Sequence, residues 1–384
     1  MPRQNCKIPL FCLVTTLFWA SLYTYVPILT TYVEGLGASH KMAGLIVGSY
    51  GFVQMLLRIP VGIVSDRYHK RRLFVIFGLF FAAFSAAGIL AFKNLNLILL
   101  FRSFAGAAAA TWVDYTILFS SYYEPTEASK AIGLMNFFSI VGQTAAMFAG
   151  GLAADYLGGR APFATGVAIG IAGLGLSFFL VEKSAARPTK LSFSDYAAFA
   201  ADRNLLAVSL LAVLVQVLAF ATVFGFTPVF AAQHLHATQA QIGLLAVLSN
   251  LPGAFSSLIA GSRFAEKWGV KKLIGCGFVL AGAFTVAIPL TKSMGLLILT
   301  QIMAGFGRGL SFTLLMGQSI QTTPVAKRAT AMGFFQAVYG LGMFVGPVLM
   351  GVIGDWTNLR QGFILLGVLG VATAFLAQRM ISVE

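Results

Sequence analysis

The chain has 384 residues, of which 58% are hydrophobic, 13% aromatic and only 10% charged. Water-soluble domains carry about a quarter charged residues, so this composition excludes one, while 41 Gly and 35 Phe suit helices that lie in lipid. At about 20 apolar residues per crossing, the length accommodates about twelve spans with short loops, all-α and integral to a membrane.

Arg3 and Lys7 precede a run from Ile8 to Val33 that holds no charge and no convincing cleavage site. It reads as an uncleaved first span rather than a signal peptide. Charge-poor segments then predict spans at 8–31, 42–65, 73–92, 97–120, 131–154, 161–181, 204–232, 238–262, 273–291, 295–320, 329–353 and 361–378. Segment 182–203 is the longest polar stretch and divides the chain into an N-terminal unit, 1–181, and a C-terminal unit, 204–384. Its FSDYAAFA stretch is suited to lie flat on the membrane as a short amphipathic helix. The uncharged region 204–262 must hold two helices, with the polar turn QHLHATQAQ between them. His234 and His236 belong to that turn rather than to a metal site. Cys6, Cys12 and Cys276 show no CxxC spacing, which argues against a disulfide framework, a zinc site or an iron–sulfur cluster.

The formal net charge of +14 raises nucleic acid as a partner, but its distribution assigns it to topology. With the N-terminus in the cytoplasm, 18 of the 26 Lys and Arg fall on the cytoplasmic side and 5 on the other. The remaining three, Arg58, Arg102 and Arg308, lie inside spans. Such an asymmetry obeys the positive-inside rule with both termini cytoplasmic, as in a plasma (inner) membrane protein. An internal repeat accompanies it. A shift of 200 residues superposes Gly133, Gly142, Gly151 and Asp155 on Gly333, Gly342, Gly351 and Asp355. The same shift places Asp66-Arg67 on Glu266-Lys267 and Arg71-Arg72 on Lys271-Lys272. Two homologous six-helix halves are the natural reading.

The end of span two reads Gly62-Ile-Val-Ser-Asp66-Arg67-Tyr-His-Lys-Arg71-Arg72. Gly62 permits close helix approach, Asp66 is a carboxylate at a helix end, and the basic cluster suits anionic headgroups. Here the chain resembles the major facilitator superfamily, whose loop signature GxxxD(R/K)xG(R/K)(R/K) is matched at Gly62, Asp66, Arg67, Arg71 and Arg72, with His69 in place of glycine. The second copy has Glu266 and Lys267 at the corresponding place. Span eleven carries Gly342-Met-Phe-Val-Gly346-Pro347-Val-Leu-Met-Gly351, which looks like the superfamily's GxxxGPxxxG element. Span five has Met147 where proton-driven exporters have proline. Arg102-Ser-Phe-Ala-Gly106 resembles the RxxxG element of span four, which in exporters is associated with proton coupling.

The resemblance implies two six-helix bundles rocking about a central site, with Gly62, Asp66, Arg67, Arg71, Arg72, Glu266 and Lys267 as a cytoplasmic latch. It also implies that spans one, four, seven and ten line the cavity. Asp114 is the only acid well inside a span, and Arg308 lies roughly 18 Å into span ten, near the midplane, at about 1.5 Å per residue. Each charge is costly in hydrocarbon and should face a cavity or a partner. Asp114 and Arg308 are therefore expected to meet across the cavity, Asp114 carrying the coupling proton and Arg308 tuning it or contacting an anion. Arg102 and Asp114 are twelve residues apart, about 120° around the helix, and share no face. Arg58 is expected to snorkel toward the cytoplasm. Further cavity candidates are Tyr23, Tyr25, Trp112, Gln216, Phe224 and Tyr339.

No HExxH, GxSxG, ligand-spaced histidine cluster or GxxxxGK[ST] loop appears, which argues against a membrane enzyme and against direct use of ATP. Gly170-Ile-Ala-Gly173-Leu-Gly175 hints at a dinucleotide turn but sits inside apolar span six with no strand before it. The leading expectation is a monomeric, cofactor-free secondary transporter driven by an ion gradient, H+ first, that exports small organic or amphiphilic compounds. The alternative is uptake or exchange of a small organic anion, suggested by three intramembrane arginines against one aspartate.

Overall fold

A computed structural model describes residues 7–68, 70–124, 127–182, 199, 201–260, 267–321, 323 and 328–380. Glu266, His69 and nearly all of the 182–203 linker, with its FSDYAAFA stretch, lie outside the described residues. In chain order the helices are α1 (Lys7–Tyr23), α2 (Leu29–Gly35), α3 (His40–Tyr68), α4 (Arg71–Ala91), α5 (Leu95–Ala110) and α6 (Trp112–Ser120). They continue with α7 (Ala128–Leu157), α8 (Ala161–Ser177), α9 (Arg203–Ala221), α10 (Thr227–Leu235) and α11 (Gln239–Ala260). The last are α12 (Val270–Ala287), α13 (Met294–Gln321), α14 (Arg328–Trp356) and α15 (Leu359–Met380). No strand occurs among the described residues. Ten helical stretches among them are long and apolar enough to cross a membrane, and α8 is a shorter apolar helix.

Every expected span is helical, and three of them are interrupted. The first breaks at a 3-10 turn over Val26–Ile28, where Pro27 cannot donate a helix hydrogen bond. The fourth steps from α5 to α6 at Thr111, whose hydroxyl donates to the Ala108 carbonyl at 2.7 Å. The seventh carries a π segment over Thr222–Phe226 between α9 and α10. The first and third breaks supply Val26 and Phe224 to the aromatic chamber described below, and buried Thr111 marks the other, so irregular backbone is tolerated because protein, not lipid, surrounds it. Phe80, Phe84, Phe179, Leu365 and Phe375 are exposed on the outside of the molecule, a surface that only lipid would solvate.

Glycines bring the helices together, and they do so in corresponding ways along the chain. Gly142 of α7 packs on the Thr16 carbonyl of α1, and Gly342 of α14 packs on the Val213 carbonyl of α9. Gly106 of α5 lies on the Tyr50 carbonyl of α3, and Gly305 of α13 lies on that of Ser249 in α11. The largest contact joins α3 and α14. A Cβ on Gly48 would sit 2.9 Å from the Phe344 carbonyl oxygen, and Gly44 and Gly51 press on Pro347 and Met343. At the other end of α3, Gly62 has no neighbour within that reach. The pair α7 and α11 behaves alike: Gly151 meets Gly243, whereas Gly133 faces open space. Between α7, α11 and α13 a cavity of about 230 Å³ opens, lined among others by Gln143, Thr144, Asn250 and Phe312. The two helix pairs thus meet at the His40 end and part toward Tyr68.

This packing makes opposite predictions for two glycines of one helix. Gly44→Ala must push α14 away and is expected to cost about 1–3 kcal/mol. Gly62→Ala meets nothing and should gain about 0.5–1 kcal/mol from helix propensity. Thermal unfolding of the detergent-solubilised protein compares the two.

Candidate functional site

Three arrangements of buried charge and aromatic surface stand out among the described residues. The first is at the end where α3 and α14 part. Lys70 and Arg71 start α4 just after the end of α3, which turns the Arg71 side chain back under the first helices. Its Nη1 donates to Asp114 Oδ1 and to Ser65 Oγ, both at 2.8 Å, and its Nη2 pairs with Asp66. Glu182 Oε1 accepts from the Arg71 backbone N–H at 3.0 Å, and Oε2 accepts from that of Arg72 at 2.8 Å. The Arg72 guanidinium donates to the Phe178 carbonyl. Asp114 is fully buried, and its Oδ2 has no hydrogen-bond partner.

This geometry corrects two expectations. Asp114 does not meet Arg308: its partner is Arg71, one of the expected latch residues. The break at Thr111 separates α5 from α6, and α6, with Asp114 in its first turn, packs against α4. The latch residues, in turn, bond within the first part of the chain. Arg67 and Lys267 are exposed, Gly62 faces open space, and Asp66 binds Arg71.

The second arrangement is a closed aromatic chamber under the His40 end. Arg102 lies between the rings of Tyr25 and Tyr50, 5.4 and 4.9 Å from their centroids, and donates from Nη1 to Tyr25 Oη at 3.1 Å. Cation–π contacts of this kind are strongest where water is excluded. Tyr23, Phe220 and Phe224 complete the wall of a small void of about 10 Å³. Tyr50 stacks on Phe220, and Tyr23 meets Phe224 edge-on. The π segment supplies Phe224 and, through the Gly225 carbonyl, accepts a 2.7 Å bond from Thr30. Tyr23, Tyr25, Phe224 and Arg102 are therefore brought together as candidates of one site. Trp112 adjoins it through Trp19. Tyr339 packs instead on Phe312 and Phe335, and Gln216 beside Gly342.

The third arrangement is a set of guanidinium and amide groups that face no acid. Arg308 is 7% exposed and its Nη1 has no hydrogen-bond partner. Gln301, seven residues earlier on α13 and so on the same stripe, is fully buried with neither amide atom bonded. Arg58, expected to snorkel, is 3% exposed, with Nε and Nη1 unpartnered. One turn before it, Gln54 is buried with its Oε1 unpartnered. Gln54 and Gln301 escaped the sequence reading. Their signal was available as an amide one or two turns from an intramembrane arginine.

Residues 11–231 and 209–384 each match the Major Facilitator Superfamily, and together they cover nearly the whole chain. The chain belongs to the major facilitator superfamily. Among curated relatives it is 26% identical over 337 residues to an uncharacterized MFS-type transporter, MJ1560, of Methanocaldococcus jannaschii, covering 86% of both chains. It is 24% identical to the inner membrane transport protein YajR of Escherichia coli, over 92% of this chain and 78% of that one. In fold it is similar to a bacterial homolog of the human lysosomal transporter Spinster in an inward-facing, unoccupied conformation. That likeness has a TM-score of 0.81 at 16% identity, over 99% of this chain and 98% of the other. The protein is thus a multi-pass membrane transporter rather than an enzyme.

Removing Arg71 leaves Asp114 as a buried charge without its cation. Arg71→Ala is expected to destabilise by about 3–5 kcal/mol, the cost of breaking a buried pair. Adding Asp114→Asn should recover part of that loss, a non-additivity that a double-mutant cycle of thermal unfolding measures.

Proposed function

We propose that this superfamily member is an alternating-access carrier of small organic anions. One observation carries the reading. Arg58, Arg102 and Arg308 are all buried with unpartnered guanidinium nitrogens, while the one buried acid among the described residues, Asp114, is already bound to Arg71. Uncompensated guanidinium is costly away from water, so a solute that reaches these groups is favoured when it brings a carboxylate or similar anion and disfavoured when it is a lipophilic cation. Bidentate hydrogen bonding suits guanidinium to such groups. In this reading the chain has twelve spans in two six-helix halves, 1–181 and 204–384, joined by the 182–203 linker. Both termini and the Arg71 end face the cytoplasm of a plasma (inner) membrane, and the monomer is the working unit. The recurrence of glycine contacts at corresponding positions supports the halves, and the parting of α3 from α14 at Gly62 supports an inward-open state.

A second reading, proton-coupled export of amphiphilic compounds, draws on a different observation. Asp114 Oδ2 is buried and unpartnered, a position where a proton can be held and released as the Arg71 pair rearranges. H+ then drives transport through Asp114, Arg71 and Asp66, with no bound cofactor, and Arg102 tuning the chamber.

Purified protein in liposomes separates the two. With an internal carboxylate panel, an anion carrier shows counterflow that Arg308→Ala lowers at least about 10-fold, the loss of one charge-assisted contact. Uptake of lipophilic cations against a pH gradient, unaffected by Arg308→Ala and abolished by Asp114→Asn, would establish the exporter instead.

A further inference from the structure

We propose that Asp155 and Asp355 form a paired clasp that holds the His40 end of the carrier shut. The inference rests on the alternating-access reading above and names residues that control it. Asp155, near the end of α7, accepts from the backbone N–H of Gln239 at Oδ1 and of Ala240 at Oδ2, both at 2.8 Å. Asp355, near the end of α14, accepts in the same way from His40 at 2.9 Å and Lys41 at 3.0 Å. The two aspartates are 200 residues apart, and so are His40 and Ala240 within one residue of register. Each carboxylate therefore closes the first turn of a helix that belongs to the other half of the chain.

The chemistry fits a reversible clasp. A helix N-terminus presents N–H groups with no intrahelical acceptor and the positive end of the helix dipole. A carboxylate satisfies two of those donors at once, without a cation and without a buried charge pair. Water satisfies the same donors when the halves separate, so the clasp biases the closed state and still releases it. Ser39 and Thr238 cap the same two helices locally, accepting from the N–H groups of Met42 at 3.2 Å and Gln241 at 3.3 Å, but such caps do not join the halves as the aspartates do. Close glycine packing stands beside each contact: Gly151 on Gln239 and Gly243, and Gly351 on the His40 carbonyl. A third link lies between them on the axis. Glu34 binds His40 Nδ1 at 2.7 Å through Oε1 and accepts from Gln233 Nε2 at 3.2 Å through Oε2. None of these groups lines the aromatic chamber or touches Arg308, so their role is positional.

The test reads distances rather than transport. In a background with Cys6, Cys12 and Cys276 replaced, spin labels at Lys93→Cys and Lys292→Cys report the His40 end, and labels at Lys130→Cys and Lys267→Cys report the opposite end. All four positions are exposed. Asp155→Asn and Asp355→Asn, singly and together, remove the charge and one of the two acceptors. The expected result is a longer-distance population at 93–292, raised about 5-fold by each substitution and about 25-fold by both, the scale of a lost helix cap at independent sites. The single variants keep the test intact if the double variant fails to fold. An unchanged 93–292 distribution in folded variants overturns the clasp. Lengthening at 93–292 with matching shortening at 130–267 supports both clasp and alternating access. Lengthening there with no change at 130–267 upholds the clasp and overturns the rocking motion on which the transport reading depends.

Discussion

Backbone-to-backbone contact between helices at one end of the molecule is the constraint from which the rest follows. Lipid offers helices no hydrophobic reason to associate, so close approach must supply van der Waals contact, which small residues, glycine above all, allow. Gly44, Gly48 and Gly51 on α3, and Gly151 and Gly243 between α7 and α11, place that approach toward the His40 end. Both pairs are in close contact near that end and stand further apart at the other. The cavity between α7, α11 and α13 and the open space at Gly62 and Gly133 are the outcome. Buried polar groups such as Asp114, Arg102 and Arg308 are shielded from lipid by protein.

Charge placement inside this frame divides into satisfied and unsatisfied groups, and the division carries the functional reading. Arg71 is surrounded by acceptors: Asp66, Asp114, Ser65 and, through its backbone, Glu182. That hub ties α3, α4, α6 and the start of the linker into one unit. Arg102 is held by aromatic faces and a tyrosine hydroxyl, which offset its burial without neutralising it. Arg58 and Arg308 keep unpartnered nitrogens. The fold thus satisfies one guanidinium with three side-chain partners and leaves nitrogens of the others without any.

Much of this was legible in the linear chain. Each expected span is helical within a few residues of its assigned limits, because about 20 apolar residues without charge have few alternatives in lipid. The shared offset of Gly142 with Gly342 and of Asp155 with Asp355 pointed to repeated structure, and those residues make corresponding contacts. Asp114, Arg102 and Arg308 were identifiable as intramembrane charges from sequence alone. Their partners were not. Asp114 was expected across the cavity from Arg308 and instead binds Arg71, since the helix break at Thr111 resets the direction that a continuous 3.6-residue helix would have given it. Arg58 was expected to reach the interface, yet neighbouring helices enclose it.

Hydrophobic spacing, glycine positions and the Lys and Arg distribution determined that this chain is an all-helical membrane protein with a repeated plan and a small set of buried charges. Those properties are local or statistical, and each depends on what a segment would lose by leaving lipid. Only the tertiary structure decided which charge meets which, which end is closed, and which carboxylates cap helices remote in sequence. Such contacts depend on helix rotation and on breaks such as Val26–Ile28 and Thr222–Phe226, where a shift of one residue turns a side chain by about 100° and changes its neighbour.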